Sequence, residues 1–304
     1  MPSRTGSSLP LVPAAAFVLV WSSGYISGPA AVHAAAPFTA LGWRFVIAAV
    51  LAAGLAVVLR RPTRMDRTTL RRVALVGVVM NAVQFGLMYV GFDLGLGATL
   101  ASLFHALSPV LTVLLAAALL GERVSPVQVV GFVAGVVGVL LVLGADLDHA
   151  GGPVAVLVGG LSMLTLSLGT LGQRWIGARP DLLWSAALQF AVSAPPLLVL
   201  GRLTEGAWPV TDTPQAVVSV LFLAVVNSIV GLVLLALLVL RGGSGAAASL
   251  FFLSPPVTAV LAWLVLDETL TVTQLVGLVV AVAGVGAATR SQAAPAPLQD
   301  VGTQ

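Results

Sequence analysis

The feature that most constrains this chain is a succession of ten apolar stretches. Each is close to the ~20 residues that a helix needs to cross a bilayer. They occupy 9–28, 38–59, 72–92, 98–120, 127–144, 153–173, 182–201, 216–240, 246–266 and 272–289 of the 304 residues. Charged residues make up only 8%, where a soluble domain carries roughly 25%, so a water-facing surface cannot be covered. This excludes an ordinary soluble enzyme, a disordered chain and a nucleic-acid binder. The expectation is an all-α integral membrane protein of ten transmembrane helices.

The loops are short, so their charges report orientation. All fourteen basic residues are Arg. With Arg4 placed inside and the spans alternating, the inner side collects Arg60, Arg61, Arg64, Arg67, Arg71, Arg72, Arg123, Arg174, Arg179, Arg241 and Arg290. Arg202 alone falls outside, and Arg44 lies within span 2. The outer loops carry Asp93, Asp146, Asp148, Glu205, Asp212, Asp267 and Glu268. The expectation is a multi-pass protein of the cell membrane with both termini cytoplasmic. The run 60–72 reads as the topology signal, ahead of lipid-headgroup binding. Span 1 follows Arg4 and precedes Ala34-Ala35-Ala36, like a signal peptide, but its counterpart in the second half argues that it is retained. The tail 290–304 is Pro/Ala/Gln-rich and reads as disordered and cytoplasmic.

An internal repeat divides the chain. At an offset of 146 residues Ser108-Pro109 falls on Ser254-Pro255, Glu122 on Glu268, Gln128 on Gln274, Gly131 on Gly277, Gly138 on Gly284 and Asn81 on Asn227. At 145, Arg44-Phe45 falls on Gln189-Phe190. The repeats are 1–144 and 145–289, five spans each. Five is odd, so the second copy enters the membrane from the opposite side. Inverted repeats of this kind place a site near the midplane between the halves and support alternating access.

Trp21-Ser22-Ser23, Arg44-Phe45, Ser108-Pro109, Gly121-Glu122, Asp267-Glu268 and the glycine-rich spans 5 and 10 together resemble the EamA-type, ten-helix members of the drug/metabolite transporter superfamily. The resemblance covers about 9–289 and implies a five-plus-five transporter of small organic molecules, often an exporter. It does not imply a substrate. The second half departs from the first, with Leu166 where Trp21 sits and Gln189 where Arg44 sits, so the halves are not chemically equivalent.

Several residues are candidates for a substrate cavity: Trp21, Tyr25, Arg44, Asn81, Gln84, His105, Gln189 and Asn227. Asn81 and Asn227 lie near span centres, where polar groups face the bundle or a cavity; interhelical glue is the competing reading. Gln84 shares the face of Asn81 by i, i+3 geometry. Arg44 is a charge within a span. Snorkelling and contact with an anionic substrate group both stay open. His105 is either a packing residue or a proton-coupling or substrate-binding group. Trp21, central in span 1 with Tyr25 one turn on, suits stacking on an organic ligand or core packing. The other Trp residues (Trp43, Trp175, Trp184, Trp208, Trp263) fall near span ends, as an interfacial belt does. Pro109, Pro255 and Pro256 are hinge candidates, since proline kinks a helix; static packing kinks are the alternative. Gly131, Gly135, Gly138, Gly277 and Gly284 form small-residue stripes that permit close helix contact, within the bundle or in a homodimer. Glu122 and Glu268 read as caps on opposite sides of the membrane.

Chemistry is sparse elsewhere. There is no Cys, no HExxH and no Lys for a P-loop, so no metal, cofactor, disulfide or ATP hydrolysis is expected, and no catalytic residue is named. An intramembrane protease needs two intramembrane Asp or a well-placed Ser–His pair, and a channel needs a polar lining ring; neither pattern occurs. The reading is a secondary transporter whose partners are a small-molecule substrate and membrane lipid.

Overall fold

The computed structural model describes residues 10–144, 150–177, 180–207 and 209–290. Arg4, Asp146, Asp148, Arg179, Trp208 and the tail beyond Arg290 lie outside the described residues. Ten helical spans follow in order: α1 Leu11–Ala34, α2 Pro37–Val58, α3 Arg67–Asp93, α4 Ala98–Leu120, α5 Pro126–Leu143, α6 Gly152–Ile176 and α7 Leu182–Thr204. Then come α8 (Thr213–Phe222 and Gly231–Ser249 around a π segment), α9 (a 3₁₀ turn Leu250–Leu253, then Ser254–Leu266) and α10 Val272–Arg290. Eight are long and apolar enough to cross a bilayer unaided; α9 and α10 are shorter apolar helices. Three ends differ from the sequence expectation by more than four residues: α1 runs on to Ala34, α3 begins at Arg67, and α8 continues to Ser249.

Local chemistry explains the boundaries. Pro sits in the first turn of α2, α5, α6 and α8, where its missing N–H has no helical partner to lose. Asp66, Asp181 and Asp212 accept from the first-turn amides of α3, α7 and α8. Ser125 and Gln128 form a capping box on α5. Its repeat counterpart, Thr271 with Gln274, does the same on α10, exchanging bonds of 2.8 and 3.3 Å. α4 ends on Gly121 at φ 70° and α9 on its counterpart Asp267 at φ 56°. This is a left-handed cap that Gly adopts freely and Asp tolerates better than most residues.

The repeat relation reappears as packing. Gly131 and Gly138 of α5 lie on Gly284 and Gly277 of α10. A Cβ on Gly138 would come 2.6 Å from the Gly277 carbonyl oxygen, and one on Gly284 would come 2.9 Å from that of Gly131. The glycine stripe therefore serves packing within one chain and is not available to a partner copy. Phe45 of α2 stacks on its own counterpart Phe190 of α7, centroids 5.5 Å apart and 12° between planes. A third pairing is duplicated: Ser22 of α1 meets Ser254 of α9 at 3.1 Å, and Ser167 of α6 meets Ser108 of α4 at 3.0 Å. Antiparallel crossings of counterpart residues are the mark of a two-fold between the halves.

The proline pairs are not equivalent. α4 is continuous α-helix through Pro109, whereas in α9 a 3₁₀ turn leads into Ser254–Leu266, with Pro255 at its N-terminus. Two symmetric breaks were expected and only the second is present. Pro255 sits where a first-turn donor is dispensable. The backbone around Pro109 is steadied by Thr112, whose hydroxyl donates to the Ser108 carbonyl at 2.8 Å, and by Ser167 at 3.1 Å.

Candidate functional site

The two ends of the bundle differ. At the end bearing the 267–271 and 205–212 segments, acidic side chains of the second repeat cap helices of the first. Glu205 accepts from the Phe38 and Thr39 amides of α2 at 2.5 and 2.9 Å and from the Thr39 hydroxyl at 2.7 Å. Glu268 accepts from Ala98 and Thr99 of α4 at 2.6 and 3.3 Å, and from the Thr99 hydroxyl at 3.0 Å. The N-terminus of a helix presents unpaired N–H groups and a positive dipole end, so a carboxylate is its natural partner. Ala35, between α1 and α2, adds a β-bridge to Val210 of the 205–212 segment. These contacts tie the two repeats together at the acidic end.

The Arg-rich end is held differently. Arg174 pairs with Glu122 at 3.2 Å and Arg61 approaches Asp181 at 3.9 Å. Arg72 lies over Trp175, 4.9 Å from its ring centre, and donates to its carbonyl. The Arg174–Glu122 pair is about half exposed on both sides, a setting where ion pairs contribute little. Glu122 was expected to cap a helix, as Glu268 does; it is instead held by Arg174.

Between the ends lies a chamber. Its larger part, about 1480 Å³ with its mouth, reaches Ile176, Pro180 and Leu182 at the Arg-rich end. A smaller extension of about 460 Å³ runs toward the acidic end among Tyr25, Met88, Tyr89 and Phe92. The two parts share Trp21, Arg44, Phe85, His105 and Asn227. All eight residues singled out in the sequence border this space: Trp21, Arg44, His105 and Asn227 both parts, Tyr25 the extension, and Asn81, Gln84 and Gln189 the larger part.

Their surroundings differ. The buried Arg44 guanidinium donates to Ser228 Oγ at 3.3 Å and Tyr89 Oη at 3.1 Å. It lies 4.7 Å from the Phe85 ring centre, a cation–π contact that partly offsets burial. It forms no ion pair among the described residues. His105 is enclosed by Tyr25 Oη at 2.8 Å on Nδ1, and by Gln84 Nε2 at 2.9 Å and Ser162 Oγ at 3.2 Å on Nε2. Gln84 is thus tied to His105 and Ser162, as interhelical glue would be. Trp21 packs edge-on to Phe251, centroids 4.7 Å apart. Gln189 meets Gln173 at 3.5 Å. Asn227 Nδ2 donates to the Val20 carbonyl at 2.5 Å, which fixes the amide orientation and leaves Oδ1 buried without a donor. Asn81, its repeat counterpart, makes no side-chain hydrogen bond among the described residues.

Both Asn residues sit on π segments, Val78–Val83 in α3 and Leu223–Val230 in α8. The wider turn re-aims side chains and recurs at functional sites. Sequence reasoning missed these segments and also Ser228, whose hydroxyl donates to the Leu223 carbonyl five residues back at 3.1 Å. The one available signal was the matched Asn pair itself.

The sequence profile of the EamA-like transporter family matches residues 10–144 and again 153–290. The chain belongs to the EamA-like transporter family. An uncharacterized transporter, YvbV, of Bacillus subtilis (strain 168) is 28% identical over 271 residues, 88% of this chain and 87% of that protein. A probable amino-acid metabolite efflux pump of Salmonella typhimurium is 28% identical over 285 residues, 88% of this chain and 90% of its own. A crystal structure at 19% identity superposes with a TM-score of 0.66 over 96% of this chain and 100% of that one, a likeness of fold. The protein is a multi-pass membrane transporter of this family, and its ten helices are the family's two five-helix repeats.

Proposed function

We propose that this EamA-like transporter exports small organic metabolites by alternating access. Repeats 1–144 and 145–289 move against each other around the chamber. The single observation that carries the reading is the chamber's asymmetry. Its lining reaches the Arg-rich end, whereas at the acidic end Glu205 and Glu268 tie the repeats together, side chains of one repeat capping helices of the other. By the positive-inside rule the Arg-rich end is cytoplasmic, so the conformation is the one that loads an exporter from within. The relatives named as amino-acid metabolite efflux pumps point the same way. With no Lys in the chain a P-loop cannot form, and a gradient of ion or solute drives the cycle.

The test has two stages. Metabolites of the medium are compared between cells with and without the gene, and the compound found is offered to proteoliposomes holding the purified protein. Saturable, gradient-driven flux is expected. Flux that rises linearly with concentration and ignores both gradients and chamber substitutions would end the transporter reading in favour of a pore. A reporter fused at 206 should read outside and one after 290 inside.

A further inference from the structure

The chamber's charges do not balance, and the imbalance points to its occupant. Arg44 is 6% exposed and borders both parts of the chamber. No Asp or Glu lines either part. A guanidinium carries five N–H donors in a fixed fork, and among the described residues only two acceptors meet it, Ser228 and Tyr89. Both acceptors are neutral. A buried cation without an anion is costly, and the Phe85 and Phe45 rings, 4.7 and 5.5 Å from the guanidinium carbon, offset only part of that cost. Snorkelling does not relieve it, because the guanidinium is buried and turned onto Ser228 and Tyr89 inside the bundle.

A second group is unmatched. Asn227, adjacent in sequence to the Ser228 that holds Arg44, has a buried Oδ1 without a donor. Its Nδ2 is committed to Val20 and Ser23, so the free atom is an acceptor. The chamber thus offers unused donors on a cation, and one residue along α8 lies an unpaired acceptor that is covered in this conformation and that a small shift of the side chains around it would open to the chamber. The walls between are aromatic: Trp21, Phe85 and Phe190.

We infer that the chamber binds amphipathic organic monoanions. A carboxylate docks on the Arg44 fork, a hydroxyl or amide N–H donates to Asn227 Oδ1 once its cover shifts, and an apolar body lies against Trp21 and Phe85. A planar carboxylate matches the guanidinium fork in two parallel bonds. One cation balances one negative charge, so a phosphate dianion leaves an excess charge in a low-dielectric space and binds more weakly. A quaternary ammonium meets Arg44 with no acid to shield it and is rejected. The inference rests on the transporter reading and adds to it a substrate class and the residues that select it.

The experiment measures binding to the purified full-length protein in nanodiscs by isothermal titration. Four probes share an aromatic body: 3-phenyllactate, 3-phenylpropionate, 3-phenylpropionamide and benzyltrimethylammonium. Phenyl phosphate is a fifth. Expected is 3-phenyllactate tightest, 3-phenylpropionate weaker by up to about tenfold for one lost hydrogen bond of ~1.4 kcal/mol, and the amide weaker still. The phosphate and the ammonium should fall at the bottom. Arg44→Gln should erase the preference for acid over amide, and Asn227→Leu the preference for 3-phenyllactate over 3-phenylpropionate. Arg44→Lys, which keeps the charge and loses the fork, should retain part of the first preference; it serves as the test if the Gln variant fails to fold. Binding of the ammonium as tightly as the acid, an acid preference that survives Arg44→Gln, or binding of none of the five overturns the inference. Failure of the two readings is separable: saturable flux of cationic compounds sinks this one and leaves the transporter, whereas absence of saturable flux for every compound sinks the transporter itself.

Discussion

Glu205 and Glu268 bond one repeat to the other at the acidic end, and the proposal that they hold it shut is testable. Each carboxylate accepts two backbone amides and one threonine hydroxyl across the repeat interface. Hydrogen bonds to a charged group contribute about 1.5–3 kcal/mol net, and losing a helix N-cap costs ~0.5–2 kcal/mol. A cautious ~2 kcal/mol per carboxylate shifts the balance toward the open acidic end about 30-fold for one alanine substitution and ~10³-fold for both, at ~1.4 kcal/mol per decade. The native absence of Cys gives a clean reporter. Met88, 1% exposed, lines the extension toward the acidic end. With Met88→Cys as background, the rate of reaction with a membrane-impermeant maleimide supplied at the acidic end should rise with Glu268→Ala, rise similarly with Glu205→Ala, and rise further with both. A double variant that is monodisperse on gel filtration yet labels at the parent rate would falsify the idea that these carboxylates gate the chamber.

Other outcomes follow from the same geometry. Pro255→Ala should slow turnover without lowering expression, because a continuous helix replaces the 3₁₀ break, and Pro109→Ala should do less because α4 is already continuous; initial rates of flux compare them. Asn227→Ala should weaken transport by up to about tenfold; equal transport by both Asn81→Ala and Asn227→Ala returns the pair to structural glue. Gly138→Leu forces a side chain against the Gly277 backbone and should cost several kcal/mol, read as loss of folded protein in fluorescence size-exclusion. Asp66 accepts from the Thr69 hydroxyl and then its amide, which holds its carboxyl below the usual carboxylate value. This cap is therefore intact above the ordinary carboxylate pKa and fades as pH falls through the lowered folded-state value, so the protection factor of the Thr69 amide, its exchange relative to the intrinsic rate at the same pH, should fall on acidification.

The fold was legible because hydrocarbon leaves few options: ten apolar runs of helical length, Arg on one side and an offset of 146 residues settle count and repeat together. The ends were less legible. Nothing in apolarity marks where α1 stops, and the continuation to Ala34 depends on the Thr211 amide and hydroxyl donating to the Ala34 carbonyl from a distant loop. The chamber's lining was found because a polar residue deep in a span must face something other than lipid. Partners were not legible, since Gln84 and Asn81 look alike in the sequence, yet one is tied to His105 and Ser162 and the other is free toward the chamber. The capping roles of Glu205 and Glu268 are interhelical contacts separated by more than 160 residues, and no local pattern announces them.

Symmetry and its breaking divide the work between the repeats. The contacts that repeat across the two-fold, Gly131 with Gly284, Phe45 with Phe190 and Ser22 with Ser254, are apolar or neutral and sit where helices cross. They can persist while the halves tilt. The groups that do not repeat are the chemical ones. Arg44 answers to Gln189, Trp21 to Leu166, and His105 to Phe251. Six of the eight candidate cavity residues belong to the first repeat, and the second contributes Gln189 and Asn227. In the proposed alternating-access cycle, a ligand held chiefly by one repeat stays with that repeat when the other moves, so its grip need not be broken for the chamber to change sides. That proposed cycle instead requires the bonds between repeats at the acidic end to break. Among the described residues those bonds include the Glu205 and Glu268 caps, the Ala35–Val210 bridge and the Thr211 bonds to Ala34, in which the repeat that supplies only two of the candidate cavity residues reaches across to the other.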